Sequence, residues 1–365
     1  MEIAVATERA AFAAAEPAEI RDRLTAAGEA PYRADQAGQW FWQQLAPSFS
    51  AMRTLPPSAR RQLEASFAFS TVTRHLKREA DHGQTIKYLF KLGDAKTIET
   101  VVMHYEATAR SRARTTICVS SQVGCPIGCS FCATGKSGFD RNLTEAEIVD
   151  QFLAASRDLG EKQRSLTNVV FMGMGEPMNN YGAVVGAIRR WARQDTLNFS
   201  PRRVTVSTIG LVPFIERLSA EGLPVNLAVS LHAPDDELRS SMIPVNRKYP
   251  IAAIVAAARA HAERTGRRTS YEYVLLQGIN DSVEQARRLT TVIGHRLTHV
   301  NLIPMNPIDG SLLAPPTKAR AQAFQSVLQA AGISTTIRAT RGLDIDAACG
   351  QLRARQLQPA AASPA

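Results

Sequence analysis

A chain of 365 residues with 43 Lys and Arg against 33 Asp and Glu, a formal charge of +10, is long enough for a large core or two domains. Its basic excess calls for a polyanionic partner. The absence of any run of about 18 uncharged apolar residues excludes a membrane-spanning helix.

The alanine-rich start carries Glu2, Glu8 and Arg9 without the basic-then-apolar order of a secretion signal. Five cysteines, an odd number, with three in one loop, argue against a disulfide framework and for a reducing, cytoplasmic setting.

The first elements read as helices, over residues 18–27, 33–44 and, behind the Pro56-Pro57 stop, 58–67. The second carries Trp40, Phe41 and Trp42, and two tryptophans so close suit the core of a small domain better than a base-stacking platform. From Ser70 the pattern changes to strand, at 71–73, 85–90 and 97–104, with turns at Asp81-His82-Gly83 and Gly93-Asp94. Residues 1–95 are expected to form a small, mainly helical accessory domain.

From Arg114 strands and helices alternate. Strands are expected at 115–121, 168–172, 203–207, 225–231, 270–276, 299–303 and 334–338. Helices are expected at 144–159, 181–193, 212–220, within 250–264, at 283–293 and at 318–330. Thr144 with Glu147 three residues on makes a capping box for the first of them. Such a series predicts an α/β fold with a parallel sheet and right-handed crossovers. Six units suit a partial (β/α)6 barrel over 96–355 with its site at the C-terminal strand ends. Residues 356–365, rich in Pro and Ala, read as a disordered tail.

The stretch Gly124-Cys125-Pro126-Ile127-Gly128-Cys129-Ser130-Phe131-Cys132 leaves one of those strands. Its C-x3-C-x2-C spacing gathers three sulfurs in one loop, and Gly124 and Gly128 let the backbone wrap what they hold. A structural zinc site needs four closed ligands. An iron–sulfur cluster held by three thiolates keeps one iron open for chemistry. Buried core cysteines remain the bland alternative.

Other polar groups fall at later strand ends. Met172-Gly173-Met174-Gly175-Glu176-Pro177 offers closely spaced glycines and, in Glu176, an acceptor for an ammonium group. Ser207, then Ser230-Leu231-His232, then Asn306 complete a ring that favours ligand contact over isolated structural roles. Cys118 lies in the strand before the cysteine loop and reads as buried. Cys349 sits in a polar, glycine-bearing stretch, Thr340 to Leu352, where a nearby positive charge would make it a nucleophile. Clusters at Arg110/Arg112/Arg114, Arg189/Arg190/Arg193, Arg202/Arg203, Arg267/Arg268, Arg338/Arg341 and Arg353/Arg355 do not by charge alone separate an RNA surface from a solubilising one.

The three-cysteine loop with Phe131 before its last cysteine resembles the radical S-adenosylmethionine (SAM) enzymes. The resemblance implies a 4Fe–4S cluster on Cys125, Cys129 and Cys132, its open iron chelated by SAM, and cleavage of SAM to a 5′-deoxyadenosyl radical. Thr116 to Cys125, Cys132-Ala133-Thr134-Gly135, Gly138 to Leu143, Met172 to Pro177, Ser230 to Pro234 and Asp344 to Leu352 together resemble the RlmN family. With Pro31 to Gln36 the likeness spans nearly the whole chain.

That resemblance implies methylation of carbon 2 of adenosine in 23S rRNA and certain tRNAs. Gly175, Glu176, Ser207, Ser230, Leu231, His232 and Asn306 would contact SAM. Cys349 would carry the methyl group as S-methylcysteine, Glu99 would take the carbon-2 proton, and Cys118 would release product by a transient disulfide with Cys349. The N-terminal domain would contact RNA, and a flavodoxin-like electron donor and a disulfide reductant would serve the cycle. The alternatives are a related family acting on carbon 8 of the same nucleoside, a non-catalytic iron–sulfur protein that binds RNA or carries electrons, and a zinc-binding RNA module.

Overall fold

Ten strands of this computed structural model, which describes residues 9–108, 112–160, 165–308 and 310–352, join one sheet, beside two short two-stranded pairs. They are β1 (Val72–Ala80), β2 (Thr85–Leu92), β3 (Thr97–Tyr105), β4 (Arg114–Cys118), β5 (Asn168–Phe171), β6 (Val204–Thr208), β7 (Asn226–Ser230), β8 (Thr269–Leu275), β9 (Thr298–Pro304) and β10 (Ser334–Ile337). Their order in the sheet repeats their order in the chain. β1 to β4 pair antiparallel and β4 to β10 parallel. The expected tail, Arg110, Arg353 and Arg355 lie outside the described residues.

Three helices precede the sheet, α1 (Pro17–Ala26), α2 (Arg33–Gly38) and α3 (Pro57–Ser66), the first and last started by proline. The crossovers carry α4 (Glu145–Gly160), α5 (Tyr181–Ala192), α6 (Val212–Ala220), α7 (Asp236–Met242), α8 (Ile251–Thr265), α9 (Val283–Ile293) and α10 (Lys318–Ala330). Six strand–helix units from β4 onward make the partial barrel, with β10 following the last helix. The Thr144 capping box forms as expected: Glu147 N–H donates to Thr144 Oγ1 at 3.2 Å and Thr144 N–H to Glu147 Oε2 at 2.8 Å. No described helix is long and apolar enough to cross a membrane.

The antiparallel end of the sheet differs from expectation in two places. The strand expected at 71–73 runs on to Ala80 through Arg74, His75, Lys77 and Arg78. Its ladder to β2 supplies the hydrogen bonds that local propensity does not, and its charges and a bulge between Arg74 and Leu76 blunt an open sheet edge. The sheet also continues across residue 95, where a tight turn lets β2 pair with β3 from Thr85↔Met103 to Lys91↔Thr97. Among the described residues up to 95 the α-helices are thus α1–α3, joined by short helical turns, while β1 and β2 widen the barrel sheet.

Beyond α2 the chain takes a π-helical turn, Gln39–Gln43, that buries Phe41 and Trp42. Phe12 packs on Phe41, Phe49 and Phe67 with ring centroids 4.7, 5.3 and 5.5 Å apart, so these aromatics form a core, as the sequence suggests. That core meets the barrel on α4, where the Arg157 guanidinium lies 5.2 Å from the Phe41 ring centre and 4.8 Å from that of Phe69.

Two turns earlier on the same helix, the buried Asp150 Oδ2 accepts from the Thr71 backbone N–H at 2.6 Å and its hydroxyl at 2.7 Å, while Oδ1 has no partner. Burial pushes this carboxyl up to about 6 against the opposing bonds from Thr71 and the charge of Arg157. A raised carboxyl pKa means the folded state holds its proton longer. Its contribution is present below the unfolded value near 4 and is lost as pH climbs through about 6. The loss comes to roughly 3 kcal/mol. Urea denaturation at pH 5 and pH 7 (about those values) should show that dependence in the wild type and a flatter one in Asp150→Asn. Equal slopes for the two proteins would refute it.

Candidate active site

β4 ends at Cys118, and the next residues stay bound to the strand beside them: Val119 N–H donates to Val170 O at 3.0 Å and Ser121 N–H to Met174 O at 2.8 Å. A short antiparallel pair, Gln122–Gly124 with Phe139–Asn142, then closes the base of the cysteine loop. Gly124 adopts φ +77°, and a Cβ there would collide with the Gly138 carbonyl, so glycine is required on both counts. The Cys125 N–H donates to that carbonyl at 2.8 Å.

Cys125, Cys129 and Cys132 open on one cleft enclosing about 930 Å³ of empty space. Burial pushes the Cys125 thiol up to about 12 and Cys129 higher still, so a metal must displace their protons to bind. Among the described residues no three ligand side chains close on one point as they would round a single ion. A cluster, which gives each cysteine a different iron, makes no such demand, and three thiols sharing a roomy cleft suit it better than zinc.

The opposite wall of the cleft comes from the strand ends of the barrel. Gly175 lines it with φ +103°, and a Cβ there would sit 2.6 Å from that of Gln122. The space this glycine leaves is therefore taken by the strand of the cysteine loop, rather than by a ligand alone as its sequence context suggests. Glu176 Oε1 accepts from Met178 N–H at 3.1 Å and Oε2 from Ile209 N–H at 2.9 Å. Burial nevertheless pushes its carboxyl up to about 7. An ammonium group arriving in the cleft would return it to the ionised form.

Ser207 of β6 and Ser230 of β7 line the same cleft, followed by His232. The His232 ring packs edge-on to Phe131 with centroids 4.8 Å apart, and its Nδ1 accepts from Val274 N–H at 2.9 Å. Burial, then Arg239, push the imidazole down to about 3, so it is neutral and its proton sits on Nε2, a donor.

Arg239, on the short helix α7 that sequence periodicity misses, fixes these strand ends. Its guanidinium donates to the carbonyls of Leu231 at 2.9 Å and Ser230 at 3.0 Å, to Ile209, and to Asn246 Oδ1 at 2.7 Å. Arg239→Met strips those acceptors in a fully buried site and should cost about 3–5 kcal/mol of unfolding free energy. Chemical denaturation that places the variant within about 1 kcal/mol of the wild type would contradict this.

Beyond β10 the segment bearing Cys349 crosses the strand ends, tied at several points. Asn306 Nδ2 donates to Cys349 O at 3.0 Å, Gln351 Nε2 to Pro307 O at 2.7 Å, and Ala133 N–H to Gly350 O at 2.8 Å. On the antiparallel side, Gly342 N–H donates to Asp81 Oδ2 at 3.0 Å and Lys87 Nζ to Asp346 O at 3.2 Å. The exposed Cys349 faces the cleft and also an adjoining hollow of about 550 Å³ that Cys118 and Asn306 line. Cys118 is buried, as expected from its strand. Burial, then the charge of Cys349, push its thiol up to about 12, against a bond from Met172 N–H and the charge of Arg338.

Two expected site residues stand apart. Leu231 lies in the core, its N–H donating to Glu272 O at 3.0 Å, and lines neither cavity. Glu99, on a strand where a carboxylate commonly faces solvent, is buried in an ion pair with Lys87 at 3.0 Å and also lines neither. Register keeps it near the chemistry all the same: Val101, two residues along the same face of β3, sits opposite Cys118.

Sequence reasoning missed Glu272 and treated Arg338 only as one of a basic pair. Both line the cleft, Arg338 lines the hollow as well, and Arg338 Nη1 lies 3.8 Å from Glu272 Oε2. The negative charge of Cys349 is the main cause that holds the Arg338 guanidinium above its ordinary value. The strand-end rule that marks Ser207 and Ser230 applies equally to Arg338, which directly follows β10.

Residues 119–290 match the radical SAM superfamily, and residues 14–68 match the N-terminal domain of ribosomal RNA large subunit methyltransferases. A protein of Frankia alni named as a probable dual-specificity RNA methyltransferase RlmN is 46% identical over 345 residues, covering 92% of this chain and 81% of its own. A protein of Moorella thermoacetica bearing the same name is 45% identical over 339 residues, covering 92% and 95%. The crystal structure of a radical SAM methyltransferase from Sphaerobacter thermophilus superposes with a TM-score of 0.90 at 48% identity, covering 95% of this chain and 100% of that one. With matches of this identity over nearly the whole length of the chain, it belongs to the RlmN family of radical SAM RNA methyltransferases.

Proposed function

We propose that this protein methylates carbon 2 of adenosine in 23S rRNA and in tRNA, through a methyl group carried on Cys349. The observation that carries this reading is the shared hollow of Cys118 and Cys349, opening beside the cleft of Cys125, Cys129, Cys132 and Glu176. Carbon 2 of adenine is electrophilic, so it does not attack the methyl sulfonium of SAM directly, and a carrier resolves the mismatch.

Cys349 thiolate displaces the methyl group of one SAM; its sulfur–carbon bond forms as the sulfonium bond breaks, and S-adenosylhomocysteine leaves. A 4Fe–4S cluster held by Cys125, Cys129 and Cys132 supplies, when bound, the electron that opens a second SAM for hydrogen abstraction. Glu176 receives the SAM ammonium group, and Ser207, Ser230 and neutral His232 offer hydroxyl and N–H partners around it. Asn306 holds the Cys349 backbone over the cleft.

Loss of a hydrogen atom from the Cys349 S-methyl group to the opened SAM lets that carbon bond carbon 2; the adduct gives up one electron, for which the oxidised cluster would be the acceptor, and its carbon-2 proton goes to Glu99 once Lys87 yields it. Cys118 attacks the Cys349 sulfur, the sulfur–carbon bond to the RNA breaks with its electron pair on the carbon, which takes up a proton and becomes the methyl group, and a disulfide forms that an external two-electron reductant must reopen. A flavodoxin-like donor and a reducing cytoplasm suit these needs.

Mass spectrometry of nucleosides from a 23S rRNA fragment treated with reconstituted protein, SAM and reductant tests the reading. Methyl on carbon 2 is expected. Methyl on carbon 8 would move the chain to the related resistance activity, and no methyl on a proven substrate would overturn the proposal.

A further inference from the structure

Next to the cysteine hollow lies a second recess, of about 580 Å³, whose walls include Gln84, Tyr105, Glu106, Arg114 and Arg341. Tyr105 and Arg341 line both spaces, so the recess continues the hollow outward to solvent. Arg114 sits directly opposite Tyr105 across the β3–β4 ladder, and its guanidinium carbon lies 4.2 Å from the Tyr105 ring centre. Arg341, arriving from the Cys349 segment, places its own 4.4 Å from the same centre.

Arg341 is also fixed by bonds from Nη1 to His104 O at 2.9 Å and to Gln84 Oε1 at 3.1 Å. Among the described residues no carboxylate pairs with either guanidinium. Glu106, the acid facing the recess, accepts from Gln84 Nε2 at 3.1 Å. Two cations are therefore held against one ring at the mouth of a pocket, neither of them in an ion pair with a described carboxylate.

We propose that Arg114 and Arg341, mounted on Tyr105, form a binding site for the RNA phosphodiester that flanks the methylated adenosine. This deepens the proposed function and rests on it. A base seated against Cys349 must leave its stack, and its flanking phosphates then lie where the hollow meets the surface. Planar guanidiniums on a rigid ring present paired N–H donors to phosphate oxygens. The ring, already covered by two cations, holds them in place instead of stacking a base. Such contacts set the register of the RNA without reading its sequence.

The test is binding of a labelled 23S rRNA fragment to the full-length protein across a salt series. Arg114→Ala should weaken binding about tenfold at low salt. It should also lower the slope of log K against log salt by about 0.7. Arg114→Lys should keep the slope, Tyr105→Leu should lower it as Arg114→Ala does, and SAM binding by equilibrium dialysis should be unchanged in all three. An unchanged slope in Arg114→Ala, with wild-type binding intact, overturns this assignment alone. A wild-type protein that binds no RNA overturns the proposed function and this site with it.

Discussion

Cys118→Ala protein, supplied with RNA, SAM and reductant, is expected to stop after one event per molecule as a covalent protein–RNA adduct. The linkage should map to Cys349, on the peptide that follows β10. Both thiols line one hollow, and no other cysteine lines it, so the described residues offer no substitute for the resolving attack. The resting Cys118 is protonated, its thiol pushed up to about 12 chiefly by burial. That protects it from alkylation and from a premature disulfide until the adduct occupies the hollow. Cys349→Ala should form neither adduct nor methylated RNA while still binding SAM, because Glu176 and the strand-end ring are untouched. Denaturing gel electrophoresis with labelled RNA reads both results. A Cys118→Ala protein with ordinary multiple turnover would sink the resolving role.

What the chain's order revealed was local. Three cysteines within eight positions, a Thr144–Glu147 capping box and the alternation of strand and helix patterns are short-range signals, and each has its counterpart in the structure. What it concealed depends on partners far along the chain. The ion pair that buries Glu99 needs Lys87, and Lys87 in turn bonds the carbonyl of Asp346, 259 positions away. Arg239 gives no sign in the sequence of being other than a surface residue of a seven-residue polar helix, yet it ties three carbonyls at the ends of two barrel strands. The glycine at 175 reads as room for a ligand, but which neighbour would meet its Cβ is a question of sheet packing. The edge strand β1 shows the same limit for backbone: its charged residues form a strand because β2 is already there to pair with.

Arg338→Met should slow the reaction of Cys349 with a small alkylating agent severalfold at neutral pH, because it removes the cation that shares both cavities with the attacking sulfur. The thiolate is the nucleophile, and Arg338 is the cation lining both cavities that Cys349 faces. Lysine at 338 keeps a charge but not the fork that reaches toward Glu272 3.8 Å away, so Arg338→Lys should recover part of the rate. Labelling followed by peptide mass spectrometry reads Cys349 alone, without requiring cluster, SAM turnover or RNA, and the buried Cys118 serves as an internal control that should stay unlabelled in every protein. In turnover, the same variant should show its loss in the first methyl transfer, the step that consumes the Cys349 thiolate. An Arg338→Met protein that labels at the wild-type rate would leave Cys349 without the positive neighbour its chemistry calls for, and would return Arg338 to the role of a strand-end residue paired with Glu272.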